Sequence, residues 1–140
     1  MVRAEKPRIV VLGSGFAGLG ALEAVEREMD SVDLVMVSES GVFEYIPSVP
    51  ELVSGRVTPD DITAEVRRAV GAVGQFIEGR VEELDLSGRR VRLMGGESIE
   101  YDALVICLGA EPLAPEPLPR GCSTTYRVED TLRFREALRG

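Results

Sequence analysis

Gly13-Ser14-Gly15-Phe16-Ala17-Gly18, set between the apolar run Ile9-Val10-Val11-Leu12 and a segment of helical spacing from Phe16 onward, is the stretch whose reading decides the fold. A β-branched strand that ends on glycine and passes at once into a helix is the arrangement that presents backbone N–H groups to a phosphate. Each glycine then has its own task. Gly13 makes the tight turn, Gly15 lets the backbone approach a pyrophosphate, and Gly18 lets the helix pack against the strand. Phe16 and Ala17 would add first-turn amides at the positive end of the helix dipole. No lysine is required in such a cradle, and none is present. Ordinary tight-turn glycines are the alternative; the strand before and the helix after favour a dinucleotide site.

Working outward, Gly18, Ala21, Leu22, Val25 and Met29 recur at helical spacing, which predicts an amphipathic helix over Phe16 to Met29. Val32 to Val37 is a second apolar strand, so strand, helix and strand form a right-handed parallel crossover. In dinucleotide sites an acidic residue about twenty positions beyond the glycines accepts hydrogen bonds from the adenosine ribose. Counting from Gly18 lands on Ser38 and Glu39. Both remain candidates, and Glu39, which carries the charge, is the better one. Either disfavours a 2′-phosphate ligand, since no arginine follows immediately.

The remainder departs from a simple repeat of that crossover. Gly41 to Pro50 carries Phe43, Tyr45, Ile46 and two prolines, an apolar connection that lies against a flat ligand or packs on its own sheet. Thr58-Pro59-Asp60-Asp61 is a helix start, and Ile62, Val66, Ala69 and Val70 supply its predicted stripe before Gly71 and Gly74 stop it. Phe76-Ile77 reads as a third parallel strand. Arg80 to Leu86 and Arg89 to Leu93 alternate polar and apolar residues around Ser87-Gly88, a hairpin signal, and Ser98 to Glu100 follows a Gly95-Gly96 turn. A β-meander thus replaces the next crossover helix. Tyr101 to Pro112 is an apolar run of the kind buried on both faces, expected beside the first strand. Residues 112–121 read as a Pro-rich extended linker, and Glu129 to Arg139 as a last helix with Leu132 and Leu138 inward.

Composition narrows the chemistry. The chain has 140 residues, a formal net charge of −8 and no histidine. Nucleic acid is therefore not an expected partner, and a Ser-His-Asp relay or a His-based zinc site is excluded. Chemistry must come from a cofactor. Cys107 and Cys122 are too few and too far apart for a zinc knuckle or a C-x-x-C pair, and read as structural thiols. With neither a leader pattern nor an eighteen-residue apolar run, the sequence is read as cytoplasmic.

Taken in order, the glycine loop, the Pro47 loop, the meander and Tyr101 to Pro112 resemble the amino-terminal FAD-binding part of the pyridine nucleotide-disulfide oxidoreductase superfamily. Val10 to Gly18 and Phe43-Glu44-Tyr45-Ile46-Pro47 are most similar to the type II NADH:quinone dehydrogenases and sulfide:quinone oxidoreductases. The resemblance implies an α/β, Rossmann-like FAD-binding domain over residues 1–140, with a parallel central sheet and an inserted antiparallel meander. It implies that Gly13, Gly15, Phe16, Ala17 and Gly18 hold the FAD pyrophosphate. Glu39 or Ser38 would meet the adenosine ribose, the backbone around Val81 the adenine edge, and Pro47 the isoalloxazine end. Cys107-Leu108-Gly109 stands where the family usually has alanine-threonine-glycine near the pyrophosphate; Leu108 removes that hydroxyl.

Members that reduce disulfides carry two closely spaced cysteines after the second strand, and residues 40–56 contain none. The resemblance therefore favours a thiol-independent reductase in which NADH reduces the flavin and a quinone accepts the electrons. A sulfide:quinone oxidoreductase portion is the runner-up; a nucleotide-sensing Rossmann domain and a flavoprotein remnant that scaffolds a partner are further alternatives. The NAD-binding domain of full-length members is missing, so 1–140 is expected to be inactive alone. Expected too are dimerisation through the surface that half would cover, around 43–46 and 112–119, and membrane-surface association of the parent.

Overall fold

The computed structural model describes residues 6–113 and 122–139, in which the chain forms two compact units. The first takes in 6–42 and 65–109, the second 43–64, 110–113 and 122–139. Most of the predicted 112–121 linker lies outside the described residues.

In the first unit the chain runs β1 (Arg8–Leu12), α1 (Phe16–Glu28) and β2 (Asp33–Ser38). Later come α4 (Val66–Val70), β5 (Gln75–Glu78), β6 (Val81–Asp85), β7 (Arg90–Leu93), β8 (Ser98–Glu100) and β9 (Ala103–Ile106). The central sheet has the order β5-β2-β1-β9 and every pairing is parallel. Strand alternation sends Val10, Leu12, Val35 and Val37 to one face, where they form a core with Val91, Leu93, Ile99 and Tyr101 of the antiparallel β6-β7-β8 meander. The other face presents buried Ile9, Val11, Leu34 and Met36, and α1 buries Gly18 and Leu22. Burying both faces explains why β1 and β2 read as unbroken apolar runs.

The second unit is built from the two-stranded pairing of β3 (Val42–Glu44) with β4 (Thr63–Glu65), a 3-10 turn at Ile46–Ser48, α2 (Glu51–Ser54), α3 (Pro59–Ile62) and α5 (Val128–Ala137). Its core is Val49, Leu52, Ile62 and Val128, with Ile46, Val57 and Leu132 packed on it. The Glu44 carboxylate accepts from the Val128 N–H at 3.2 Å and so closes the start of α5. At the start of α3 Thr58 and Asp61 form a reciprocal capping box.

Four expectations are corrected. The helix predicted through Ile62, Val66, Ala69 and Val70 is broken by β4. In a continuous helix the Val66 N–H would donate to the Ile62 carbonyl; instead Val66 donates to Gly41 O at 2.8 Å and Ile62 O accepts from Tyr45 at 2.8 Å. Pairing with β3 has taken both groups, and Ala69 is left exposed. Met29 and Leu138 are exposed, not inward, because each is the residue on which its helix ends. Met29 is already in extended backbone, off the helical stripe. The run at β9 does lie beside β1, yet it is not covered on both faces: it is the edge strand, and Ile106 is 56% exposed. Of the two cysteines read as structural, Cys107 is half-buried while Cys122 is exposed.

Two outcomes follow from this packing. A Cβ at Gly18 would overlap the Gly13 carbonyl, whereas one at Gly20, also in α1, meets nothing within 4 Å. Gly18→Ala should therefore destabilise the chain by about 1–3 kcal/mol in urea unfolding, and Gly20→Ala should stabilise it by roughly 0.5–1 kcal/mol through helix propensity. The Asp61 carboxylate accepts from the Thr58 N–H at 2.8 Å and its hydroxyl at 2.7 Å, and the backbone bond first, then the hydroxyl, holds its pKa below 3.8. A depressed carboxylate stabilises above its unfolded-state pKa and loses that contribution as pH falls through the folded value. Protection of the amides at the start of α3, taken relative to the intrinsic exchange rate at each pH, should thus fall only below the ordinary 3.8, and Asp61→Asn should remove that step.

Candidate dinucleotide-binding site

The sequence-predicted residues of the first unit gather beyond the carboxyl ends of its parallel strands. The ladder closes there with Gly13 N–H donating to Val37 O at 2.7 Å and Cys107 N–H to Leu12 O at 2.8 Å. Gly13 turns with φ +96°, and a side chain on it would overlap the Cys107 carbonyl. Gly18 brings the first turn of α1 onto the Gly13 carbonyl, so helix and strand meet at backbone distance. These two positions are closed and need glycine. Gly15 differs: it is the N-cap of α1, exposed, with nothing within 4 Å of where a Cβ would stand. No side chain caps α1 and no acid lies in its first turn. An α-helix begins with amides that lack an intrahelical acceptor, at the positive end of its dipole. Phe16 and Ala17, both exposed, follow it in the first turn of α1.

Around it stand the other candidates. Buried Ser14 places its hydroxyl 2.9 Å from Ser38 Oγ and 3.5 Å from Ser40 O. Ser38 is thereby tied to the loop and half-buried, while Glu39 is exposed at the mouth. The Glu39 carboxylate pairs with Arg80, Oε1 to Nε 3.1 Å. Gly79 N–H donates to Ser38 O at 2.8 Å, extending the β2–β5 pairing in which Ser38 stands opposite Glu78, so the turn that carries Arg80 leaves the sheet beside Glu39. Half-buried Val81 follows at the start of β6. Across β1, half-buried Cys107 leads to Leu108, 57% exposed, and Gly109 at φ +76°. From β1 the chain winds one way through β2 and β5, and β9 lies on the other side, so the loop sits at the point where strand order reverses. That crevice is where open α/β sheets bind ligands.

Pro47 belongs to the second unit, exposed in its 3-10 turn. The sequence reading did not single out the Arg80 that pairs with Glu39. Only its place just before Val81 could have marked it, because an arginine about forty positions beyond Glu39 carries no spacing signal.

Comparison with known proteins adds the family. The family described as pyridine nucleotide-disulphide oxidoreductase matches residues 7–140. The chain is 32% identical to the alternative NAD(P)H-ubiquinone oxidoreductase C1 of Arabidopsis thaliana, over 96% of this chain and 30% of that protein. It is 28% identical to a type II NADH:quinone oxidoreductase of Mycobacterium tuberculosis, over 74% of this chain and 23% of that protein. Among solved structures, the sulfide:quinone oxidoreductase of Aquifex aeolicus superposes with a TM-score of 0.84 at 25% identity, covering 95% of this chain and 32% of that one. The chain thus spans about a third or less of the proteins it matches, and its fold is the Rossmann-like α/β fold of FAD-binding oxidoreductases.

Proposed function

The chain belongs to the pyridine nucleotide-disulphide oxidoreductase family, and on that premise we propose that it is the FAD-binding portion of an NAD(P)H-dependent, quinone-type oxidoreductase. The observation that carries this reading is the open start of α1 at Gly15, uncapped and with no atom inside 4 Å of its missing side chain. The residues present fit the cofactor. Gly13, Gly15, Phe16, Ala17 and Gly18 hold the pyrophosphate through backbone amides and the helix dipole. Glu39 takes the adenosine ribose; Ser38, whose hydroxyl is engaged by Ser14, shapes the loop. The backbone at Val81 borders the adenine, and Cys107, Leu108 and Gly109 line the far side of the pyrophosphate. Bound FAD supplies the two-electron chemistry between a nicotinamide donor and an acceptor; this chain binds and orients it.

A quinone acceptor is favoured over a thiol because residues 40–56 hold no cysteine pair, and the Arabidopsis relative is by name an NAD(P)H-ubiquinone oxidoreductase. The sulfide-oxidising reading keeps second place on the likeness to the Aquifex protein. Residues 1–140 form the FAD-binding domain, inactive alone, and the catalytic parent works at a membrane surface. No helix among the described residues is long and apolar enough to cross a membrane.

FAD titrated into the 140-residue chain should lose fluorescence on uptake, and no response at high micromolar FAD overturns the assignment. Gly15→Val, at φ −77° and in open space, should leave urea stability within about 0.5 kcal/mol yet weaken FAD at least roughly ten-fold, or about 1.4 kcal/mol. Retained affinity would remove the loop from the site. Ile106 and Leu108, exposed at the sheet edge, should drive self-association; a monomer by light scattering over a concentration series contradicts that.

A further inference from the structure

We propose that Arg80 is a positioning residue for the adenosine half of the dinucleotide, holding the Glu39 carboxylate where the ribose hydroxyls meet it. The inference rests on the flavin reading above and names a residue that reading does not require.

Three other exposed ion pairs in the first unit are parts of the ladders. Arg8 pairs with Asp33, Arg90 with Glu100 and Arg92 with Glu83, and in each case the two residues are direct partners in strand register. They hold strands in register. Arg80 and Glu39 lie beyond the ladder, on the two turns that leave β5 and β2, at the mouth of the glycine loop. Their side chains are 69% and 56% exposed, and an exposed pair adds little to fold stability.

The backbone under Arg80 is nevertheless fixed on both sides. Gly79 N–H is bound to Ser38 O at 2.8 Å, and Arg80 O accepts from Met94 N–H at 2.8 Å. The guanidinium is therefore presented from a rigid base to a carboxylate whose own backbone continues the Ser38 anchor. Nε stands 3.1 Å from Oε1 in an ion pair. The pair holds the carboxylate near Arg80 and leaves its lone pairs able to accept from a ribose hydroxyl. A carboxylate on a flexible chain must otherwise be ordered by the ligand at the ligand's expense, and preorganisation removes that loss from the binding step. Pairing Glu39 with a cation also lowers its repulsion of a pyrophosphate at the glycine loop.

The test measures FAD and ADP affinity for the 140-residue chain, Arg80→Ala, Arg80→Lys, Glu39→Gln and the Ala/Gln double variant, with melting temperature for each. Arg80→Ala should weaken both ligands about five-fold, Arg80→Lys should restore part of the loss, and melting should not move. In the Glu39→Gln background Arg80→Ala should change affinity less than about two-fold, because the carboxylate it positions is no longer charged. Wild-type affinity in Arg80→Ala, or fully additive losses in the double variant, would overturn the proposal. Absence of any FAD or ADP uptake by the unmodified chain would overturn the flavin reading with it, an outcome distinct from uptake indifferent to Arg80.

Discussion

The contact on which the rest depends is that of the first turn of α1 with the end of β1, backbone against backbone. It exists because two positions lack a Cβ: one at Gly13 would collide with the Cys107 carbonyl, one at Gly18 with the Gly13 carbonyl. Pushing either contact apart would tilt α1 away from Met36, whose Cε lies 3.7 Å from the missing Gly18 side chain, and would open the core face that Ile9, Val11 and Leu34 bury. The same closeness aims the uncapped helix start over the carboxyl edge of the sheet. Strand packing and the direction of the helix start are therefore one constraint, met by Gly13 and Gly18. Gly15, between them, meets nothing within 4 Å among the described residues, so packing does not account for a glycine there.

This division explains what could be read from the sequence. A strand buried on both faces must be apolar at every position, and a helix packed on it must repeat its small and apolar residues at helical spacing, so β1, α1 and β2 were legible to within a residue or so. The meander was equally plain, because its strands alternate and its Gly95-Gly96 turn, with both residues at positive φ, needs glycine. Local rules failed where a distant partner decides. The choice between a helix across residues 63–65 and a strand turned on whether β3 would claim the Ile62 carbonyl and Val66 amide, which no local window contains. Exposure of β9 turned on its place at the sheet edge, and Arg80 meets Glu39 only because β2 and β5 are paired.

Ser38 and Glu39 show the same distinction within the site. Their sequence neighbourhood treats them alike, as the residues that end a buried strand about twenty positions past a glycine loop. Their environments separate them. Ser14, itself buried, requires a hydrogen-bond partner, and the nearest is Ser38. That bond fastens the glycine loop to the end of β2 and draws the Ser38 hydroxyl inward, leaving the next residue to face outward by strand alternation. The hydroxyl and the carboxylate are thus not rivals for one role: the first sets the loop's geometry, the second remains at the surface.

The overall charge of −8 raises the question of how such a chain receives a diphosphate at all. Charges beyond about 8 Å are largely screened at physiological ionic strength, so the local arrangement decides. The first acidic residue of α1 is Glu23, near the middle of the helix, and none lies in its first turn. The carboxylate that must stand near the cradle, Glu39, is paired with Arg80. What remains is a row of backbone dipoles whose field costs no reorganisation when an anion arrives, because the turn that orients them is locked by the packing of Gly13 and Gly18. On the proposed reading an acidic surface and an anion site are compatible, because such a site is made of main chain, which the sequence's charge balance does not count.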